Sequence, residues 1–550
     1  MKHIFILIIT FLLCLSVNCQ TIGLIEHNAN SLDDGYVLFA PLNSTTTYLI
    51  DKCGKQTKTW PSNYRPGQAC YLLPDGSLLR TGNSNNNVFN VGGTGGIVEK
   101  IDWNGELSWS YTVSDASKCQ HHDVKALPNG NILIIAWELK TKAEAIAAGR
   151  NPSLVGNSIW SEQILEVQPT GTNAGIIVWE WHLWDHLIQD YDITKSNYGM
   201  VASNPQLINI NYNANANNSD WIHLNSIDYN PVLDQIVLSS HNFDEIWIID
   251  HSTNTSQAAS DKGGNSGNGG DILYRWGNPA AYKKGTTADQ KFFGQHNAYW
   301  IESGYPFENQ IMVFNNGLAR PGGNYSTVEI IDPPVDGYNY IATLPYLPAL
   351  TSWNYNYENT NDLFSKNISG AQQLPNGNVL ICSGESGTFT EITTSGTQVW
   401  KYINPVNNTG AIIQGTTNPI KNNVFRCSYY PTSYSGFDGH TLNAGNTIEN
   451  TNPVSNSCNL FLGIENNSSD DLRIFPNPAK DFISIYSPTM DLSNAAISLF
   501  DNLAQPVFEL QINRSAHDIT ISTVNIPAGM YNLQIRSGNS VLNKKILILR

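Results

Sequence analysis

Apolar and polar residues alternate along most of this chain in short runs, and one turn keeps interrupting them. It consists of an apolar residue, Pro, Asp or Asn, and Gly, and an alternating stretch follows it. Leu73-Pro74-Asp75-Gly76-Ser77-Leu78-Leu79, Leu127-Pro128-Asn129-Gly130-Asn131-Ile132-Leu133 and Leu374-Pro375-Asn376-Gly377-Asn378-Val379-Leu380 are clear copies. Looser copies run from Tyr229-Asn230-Pro231 into Gln235-Ile236-Val237 and from Ser303-Gly304 into Gln310-Ile311-Met312. Asp-Gly and Asn-Gly accept positive φ, so each turn predicts a hairpin. A second strand pair closes on Trp each time: Val98 to Trp109, Ile164 to Trp181, Ile246 to Trp276 and Thr390 to Trp400. Two hairpins make a four-stranded unit that cannot bury both faces alone, so copies must stack around an axis. The pattern predicts an all-β, six-bladed β-propeller. Five blades turn near residues 75, 129, 230, 303 and 376. The sixth is expected from Gly35-Tyr36-Val37-Leu38-Phe39 and Thr47-Tyr48-Leu49-Ile50-Asp51 joined to the segment 424–442, a closure that removes exposed strand edges.

The texture changes beyond the propeller, expected over 20–462. Residues 463–471 are polar and aperiodic and read as a linker. Within 472–550, Phe482-Ile483-Ser484-Ile485-Tyr486, Ala496-Ile497-Ser498-Leu499-Phe500 and Met530-Tyr531-Asn532-Leu533-Gln534-Ile535 alternate as strands of a small β-sandwich.

Composition narrows the function. Charged residues are 14% of the 550 and the formal net charge is −16. Nucleic acid is therefore not an expected partner, because binding phosphates needs basic patches. The chain opens with Lys2 and His3, an apolar run from Ile4 to Val17, and small residues at Val17 and Cys19 before Gln20. This reads as a signal peptide over residues 1–19, shorter than the ~20 residues of a membrane span. No other stretch suits a span, so an exported chain without a transmembrane segment is expected. Removing the leader leaves Cys53, Cys70, Cys119, Cys382, Cys427 and Cys458, an even set for which disulfides are expected in an oxidising compartment. No CxxC occurs, so no structural zinc site is expected.

The candidate chemistry lies in the register of the repeat. Seven residues before Asn129, Asn230 and Ser303 stand His122, His223 and His296. The corresponding residues of the other two clear units are Gln68 and Ser369. Equivalent positions of successive blades are related by rotation, so these three imidazoles are expected to converge at one mouth of the central channel. His241, near the end of the following strand in the second His-bearing blade, is a candidate fourth member. His121 has the opposite strand parity and is expected to point elsewhere. Clustered imidazoles suit an oxyanion site for sulfuryl or phosphoryl transfer, one ring acting as a neutral nucleophile among donors. They equally suit a His-ligated metal centre. A surface adhesin or glycan-binding propeller without catalysis is the third reading.

Around these residues the chain resembles the arylsulfotransferase family. The matching stretches are His121-His122-Asp123, Asp220-Trp221-Ile222-His223-Leu224-Asn225-Ser226, Ser239-Ser240-His241-Asn242, Gly277-Asn278-Pro279, Phe293-Gly294-Gln295-His296-Asn297-Ala298, and Asn315-Asn316-Gly317 with Arg320. The resemblance implies a propeller that moves a sulfuryl group from an aryl sulfate to a phenol by a ping-pong route, without a nucleotide donor, a cofactor or a metal. It implies His296 as the nucleophile that becomes sulfated, with His122 and His223 on the sulfate oxygens. Where the family carries an Arg, this chain has His241, and Arg320 or Arg275 is a possible substitute. Trp221 and Tyr299 are candidates to stack on aryl rings. The end of the chain, with Arg473-Ile474-Phe475-Pro476-Asn477-Pro478-Ala479, Ile526-Pro527-Ala528-Gly529-Met530-Tyr531 and Lys544-Lys545-Ile546-Leu547-Ile548-Leu549-Arg550, resembles the type A sorting domain of the type IX secretion system of Bacteroidetes. That implies the secretion machinery as a partner and a secreted or cell-surface protein.

Overall fold

A computed structural model describes residues 20–356, 363–451, 458, 473–475, 479–486, 492, 495–501, 505–512, 518–537 and 540–549. The expected signal peptide (1–19), the expected linker (463–471) and Pro476-Asn477-Pro478 of the sorting motif lie outside the described residues. The chain divides into two compact units between Ser457 and Cys458. No helix among the described residues is long and apolar enough to cross a membrane.

The first unit is a six-bladed propeller. Five blades are antiparallel sheets whose innermost strands are Pro66–Leu72, Lys118–Ala126, Leu224–Asn230, His296–Trp300 and Gly370–Gln373. They are blades 2 to 6. In blade 1 the innermost strand Val424–Pro431 comes from the far end of the unit and pairs with Gly35–Pro41, which continues into Thr46–Asp51 and Gln56–Pro61. The ring closes as the sequence predicts, and the six innermost strands pack in succession around the axis, the last against the first. The Asp-Gly and Asn-Gly turns do the local work: Gly76, Gly130 and Gly377 have φ of 79, 86 and 93°, where a side chain would be strained. The Trp-terminated strands of blades 2, 3 and 4 stand at the outer edges, with Ile246 opposite Trp276 and Lys100 opposite Trp109, and that of blade 6 is second from the edge.

Two outer strands have no counterpart in the sequence pattern. Gly23–His27 adds a fifth strand to blade 6, and Trp353–Asn356 completes blade 5 after a long excursion. The excursion hides the repeat because residues 332–352 separate this strand from its partner Thr327–Ile331.

A buried ion pair ties the closing blade to its neighbour. Lys52 Nζ lies 2.5 Å from Glu391 Oε2 of blade 6, both shielded from water, and Glu391 also accepts from Asp33 N–H and Asn378 Nδ2. Removing one partner leaves an uncompensated buried charge. Lys52→Met is therefore expected to lower unfolding stability by about 3–5 kcal/mol, read as a fall in the denaturant midpoint. A loss below ~1 kcal/mol would show that the pair does not hold the closure.

The expected disulfides form only in part. Cys53 and Cys458 are each disulfide-bonded, whereas Cys70, Cys119, Cys382 and Cys427 are buried free thiols. Cys70 and Cys427 lie on innermost strands and Cys382 on the strand next to one, so they sit as small apolar side chains inside the ring.

The second unit is a two-sheet sandwich, as expected. Arg473–Phe475, Phe482–Tyr486 and Asp518–Ser522 form one sheet, and Pro506–Gln511, Ala496–Phe500, Gly529–Ser537 and Ser540–Ile548 the other. Alternate residues such as Ile483, Ile485, Ile497, Leu499, Leu533 and Ile535 face one shared core.

Candidate functional site

The alternation of the innermost strands breaks at one register. In blade 2, Pro66 opposes Gly82 but Cys70 opposes Arg80; in blade 3, Gln120 opposes Ala136 but Val124 opposes Ile134. Smaller bulges follow Leu224 in blade 4 and His296 in blade 5. The backbone turns left-handed there, at Gln68, His122, His223, Asn297 and Ser369, with φ from 51 to 125°. Such geometry is costly for residues with a Cβ and persists only where the surroundings impose it. Each bulge aims a side chain that a regular strand would send to a blade interface.

The consequence is an arc of imidazoles. Ring centroids are 4.5 Å apart for His122 and His223, 5.2 Å for His223 and His241, and 5.4 Å for His241 and His296. Phe425 of blade 1 completes the circle, 5.9 Å from His122 and 6.5 Å from His296. Sequence reasoning did not find Phe425, because the closing strand has no hairpin turn from which to count.

Each ring has one nitrogen already engaged. His296 Nδ1 is 2.8 Å from Asn316 Oδ1 and 3.1 Å from Gly294 O. Asn316 donates through Nδ2 to the carbonyls of Ser365 and Ile368, which fixes its oxygen toward His296. Nδ1 must therefore carry the proton, and Nε2 keeps its lone pair. Burial, and then His241 beside it, push the His296 pKa well below the usual value, so the ring is neutral. His241 Nδ1 is likewise 2.8 Å from Asn242 Oδ1, whose Nδ2 donates to Asp220 O. Burial, then the charge on His223, lower its pKa to about 4. His122 is also neutral, by burial and then by His223.

His223 is the exception. Burial opposes its charge, but the Asp220 carboxylate, 2.5 Å from Nδ1, outweighs burial and raises the pKa. The site thus holds one imidazolium backed by a carboxylate, and three neutral rings. Asp220 precedes His223 by three residues, a spacing that could have flagged it.

Not every candidate joins the arc. The Arg320 guanidinium lies over Tyr325 and Phe293, at 4.3 and 5.4 Å, and donates to Thr327; none of its described contacts reaches an imidazole. Arg275 is fully buried against Glu245 and the carbonyls of Pro205 and Leu207. Trp221 packs on Phe243 and Arg150 inside the blades. Tyr299 lines a central cavity together with Asp123 and Asn297, the residues that follow His122 and His296.

His121 does not turn away from the site. Its Nδ1 is 2.9 Å from His122 Nδ1, its Nε2 is 2.8 Å from Glu162 Oε2, and its ring stacks on Trp137 at 3.9 Å. Strand parity fails here because residues 121–123 form the bulge opposite Ile135.

A sequence model of the family described as Arylsulfotransferase (ASST) matches residues 30–426. A second, described as Secretion system C-terminal sorting domain, matches residues 473–549. No curated protein matches the chain. Among solved structures the chain is similar, at 10% identity, to a protein of unknown function from Bacteroides caccae, covering 72% of this chain and 99% of that one with a TM-score of 0.40. It is similar at 10% identity to the Cps50 (Swd1) β-propeller domain of Myceliophthora thermophila (70% and 86% covered, TM-score 0.34). A streptogramin B lyase is similar at 10% identity (76% and 96% covered, TM-score 0.33). The sorting domain marks the protein as exported, to the cell surface or the medium, and as a client of a secretion machinery.

Proposed function

The chain belongs to the arylsulfotransferase family, and from that premise we propose that it moves a sulfuryl group from an aryl sulfate to a phenol through a sulfated His296. The observation that carries the reading is the tautomer of His296, held by Asn316 with the Nε2 lone pair uncommitted beside a cationic His223.

The cycle balances as follows. Nε2 of His296 attacks sulfur while the bond from sulfur to the aryl oxygen breaks. The departing phenolate takes a proton from the imidazolium of His223. The sulfated ring keeps its Nδ1 proton and is cationic, and Asn316 Oδ1 and Gly294 O face that proton. The positive ring is a good leaving group. A second phenol then attacks sulfur, its proton passes to the cluster, and the N–S bond breaks. His122 and His223 hold the sulfonate oxygens, and Phe425 is an apolar wall for the ring. Mutual charge stabilisation in a water-poor site supplies the rate.

The test is release of nitrophenolate from p-nitrophenyl sulfate with and without phenol, and with and without a chelator. Phenol-dependent release that ignores the chelator supports the transferase. No release across a panel of aryl sulfates and phenols would overturn it, and loss to the chelator would favour a metal centre.

His241 stands where the resemblance implies an Arg. As a neutral ring with its Nδ1 proton given to Asn242, it offers an acceptor to the sulfonate until it gains a proton. Arg is a permanent donor. His241→Arg is expected to lower KM for the aryl sulfate roughly tenfold near neutral pH, with the gain shrinking as pH falls toward 4. An unchanged KM would place position 241 off the sulfonate.

A further inference from the structure

Glu162, His121 and His122 form a chain of two hydrogen bonds that runs from a buried carboxyl group to the arc. Glu162 and His121 are fully buried and His122 nearly so. Glu162 sits on Ser158–Thr170 of blade 3, directly opposite Trp137, on which His121 stacks. Its other oxygen, Oε1, accepts the Leu224 N–H of blade 4 at 3.0 Å. The triad thus stands at the seam of two blades, and the titratable groups that face it are His223 and Asp220 on Glu162 and His121, and His223, His241 and His296 on His122.

We infer that Glu162 and His121 are positioning residues that set which way the His122 ring hydrogen-bonds, and so whether its Nε2 can donate to a sulfonate oxygen. The inference rests on the transferase reading. With a proton on Glu162, the carboxyl donates to His121 Nε2. His121 Nδ1–H then donates to His122 Nδ1, and His122 Nε2–H is left to donate to the substrate. Each group carries one proton and the chain is neutral. Removing one proton reverses every bond. The carboxylate accepts from His121 Nε2–H, His121 Nδ1 accepts from His122 Nδ1–H, and His122 Nε2 turns a lone pair toward the anion. Sulfonate binding at His122 is therefore linked to holding one proton in the chain. Burial, which raises the Glu162 pKa against the pull of the Leu224 N–H and lowers those of both histidines, favours the neutral donating state.

Glu162→Gln separates this from a bracing role. The amide oxygen can accept from Leu224 N–H while the amide nitrogen donates to His121 Nε2, which locks the donating direction with nothing to titrate. The probe is benzenesulfonate, an unreactive anion, with Kd measured over a pH series on the full chain. Above the pKa of the chain, wild type should lose affinity about tenfold more per pH unit than Glu162→Gln. His121→Phe, which keeps the stack on Trp137 but severs the chain, should also lose that extra slope and bind about tenfold more weakly below it. Equal slopes in wild type and Glu162→Gln would overturn the inference. If the slope difference appears while wild type transfers no sulfuryl group, the transferase reading fails and the relay stands. If transfer occurs with equal slopes, the reverse holds.

Discussion

His296→Ala should reduce sulfuryl transfer by on the order of 10⁴- to 10⁶-fold in kcat/KM, because it removes the group that forms the covalent bond rather than one that assists it. The structure separates this residue from its neighbours by what holds it. Asn316 cannot rotate, since both its amide hydrogens are spent on the carbonyls of Ser365 and Ile368. His296 is therefore held in the tautomer with a lone pair at Nε2, and it is kept neutral by burial and by its neighbours. The fold should survive the substitution, because the backbone hydrogen bonds of His296–Trp300 do not depend on the ring. The check is steady-state kinetics with p-nitrophenyl sulfate and phenol beside a thermal melt. Activity within tenfold of wild type would remove His296 from the chemistry.

The second large effect concerns the cation. His223→Ala should cost about 10²- to 10³-fold in kcat/KM, the loss typical when one donor to a developing oxyanion is removed. Asp220→Asn tests the cause of the charge. An Asn at 220 keeps a hydrogen-bond acceptor near His223 Nδ1 but no carboxylate. The pKa of His223 is raised by Asp220 against burial, so its positive charge is present below that raised value and lost as pH rises through it. In Asp220→Asn that loss should come at lower pH. Activity should match wild type on the acid side and fall earlier on the alkaline side. A profile that keeps its alkaline limb in place would mean that some other group carries the cation.

Much of this was legible in the sequence because it is local. An Asp-Gly or Asn-Gly step between apolar runs fixes a hairpin wherever it occurs, and a strand that ends on Trp announces the fourth strand of a blade. The split blade was legible for the same reason, since Gly35-Tyr36-Val37-Leu38-Phe39 has no inner neighbour until the chain returns near Val424. The convergence of His122, His223 and His296 followed from counting along a repeat, and His241 joins them through the strand that follows His223. What was not legible depends on contacts between strands far apart in the sequence. The bulges that turn His122 and His223 inward leave no local mark, so parity wrongly sent His121 away from the site. Glu162 and Asn316 act through hydrogen bonds to residues 41 and 20 positions away, a relation that no short motif encodes. Arg320 looked like a candidate by proximity in sequence, yet its guanidinium rests on the rings of Tyr325 and Phe293.

The sulfated histidine is the central claim, and it can be caught directly. The protein is incubated with p-nitrophenyl sulfate in the absence of any phenol acceptor, quenched in alkali to protect an N–S bond, and analysed by intact-mass and peptide mass spectrometry. The account predicts one added SO₃ per chain, located on His296, discharged when phenol is supplied and absent from His296→Ala. No adduct in a preparation that turns over, or an adduct on a different residue, would contradict it.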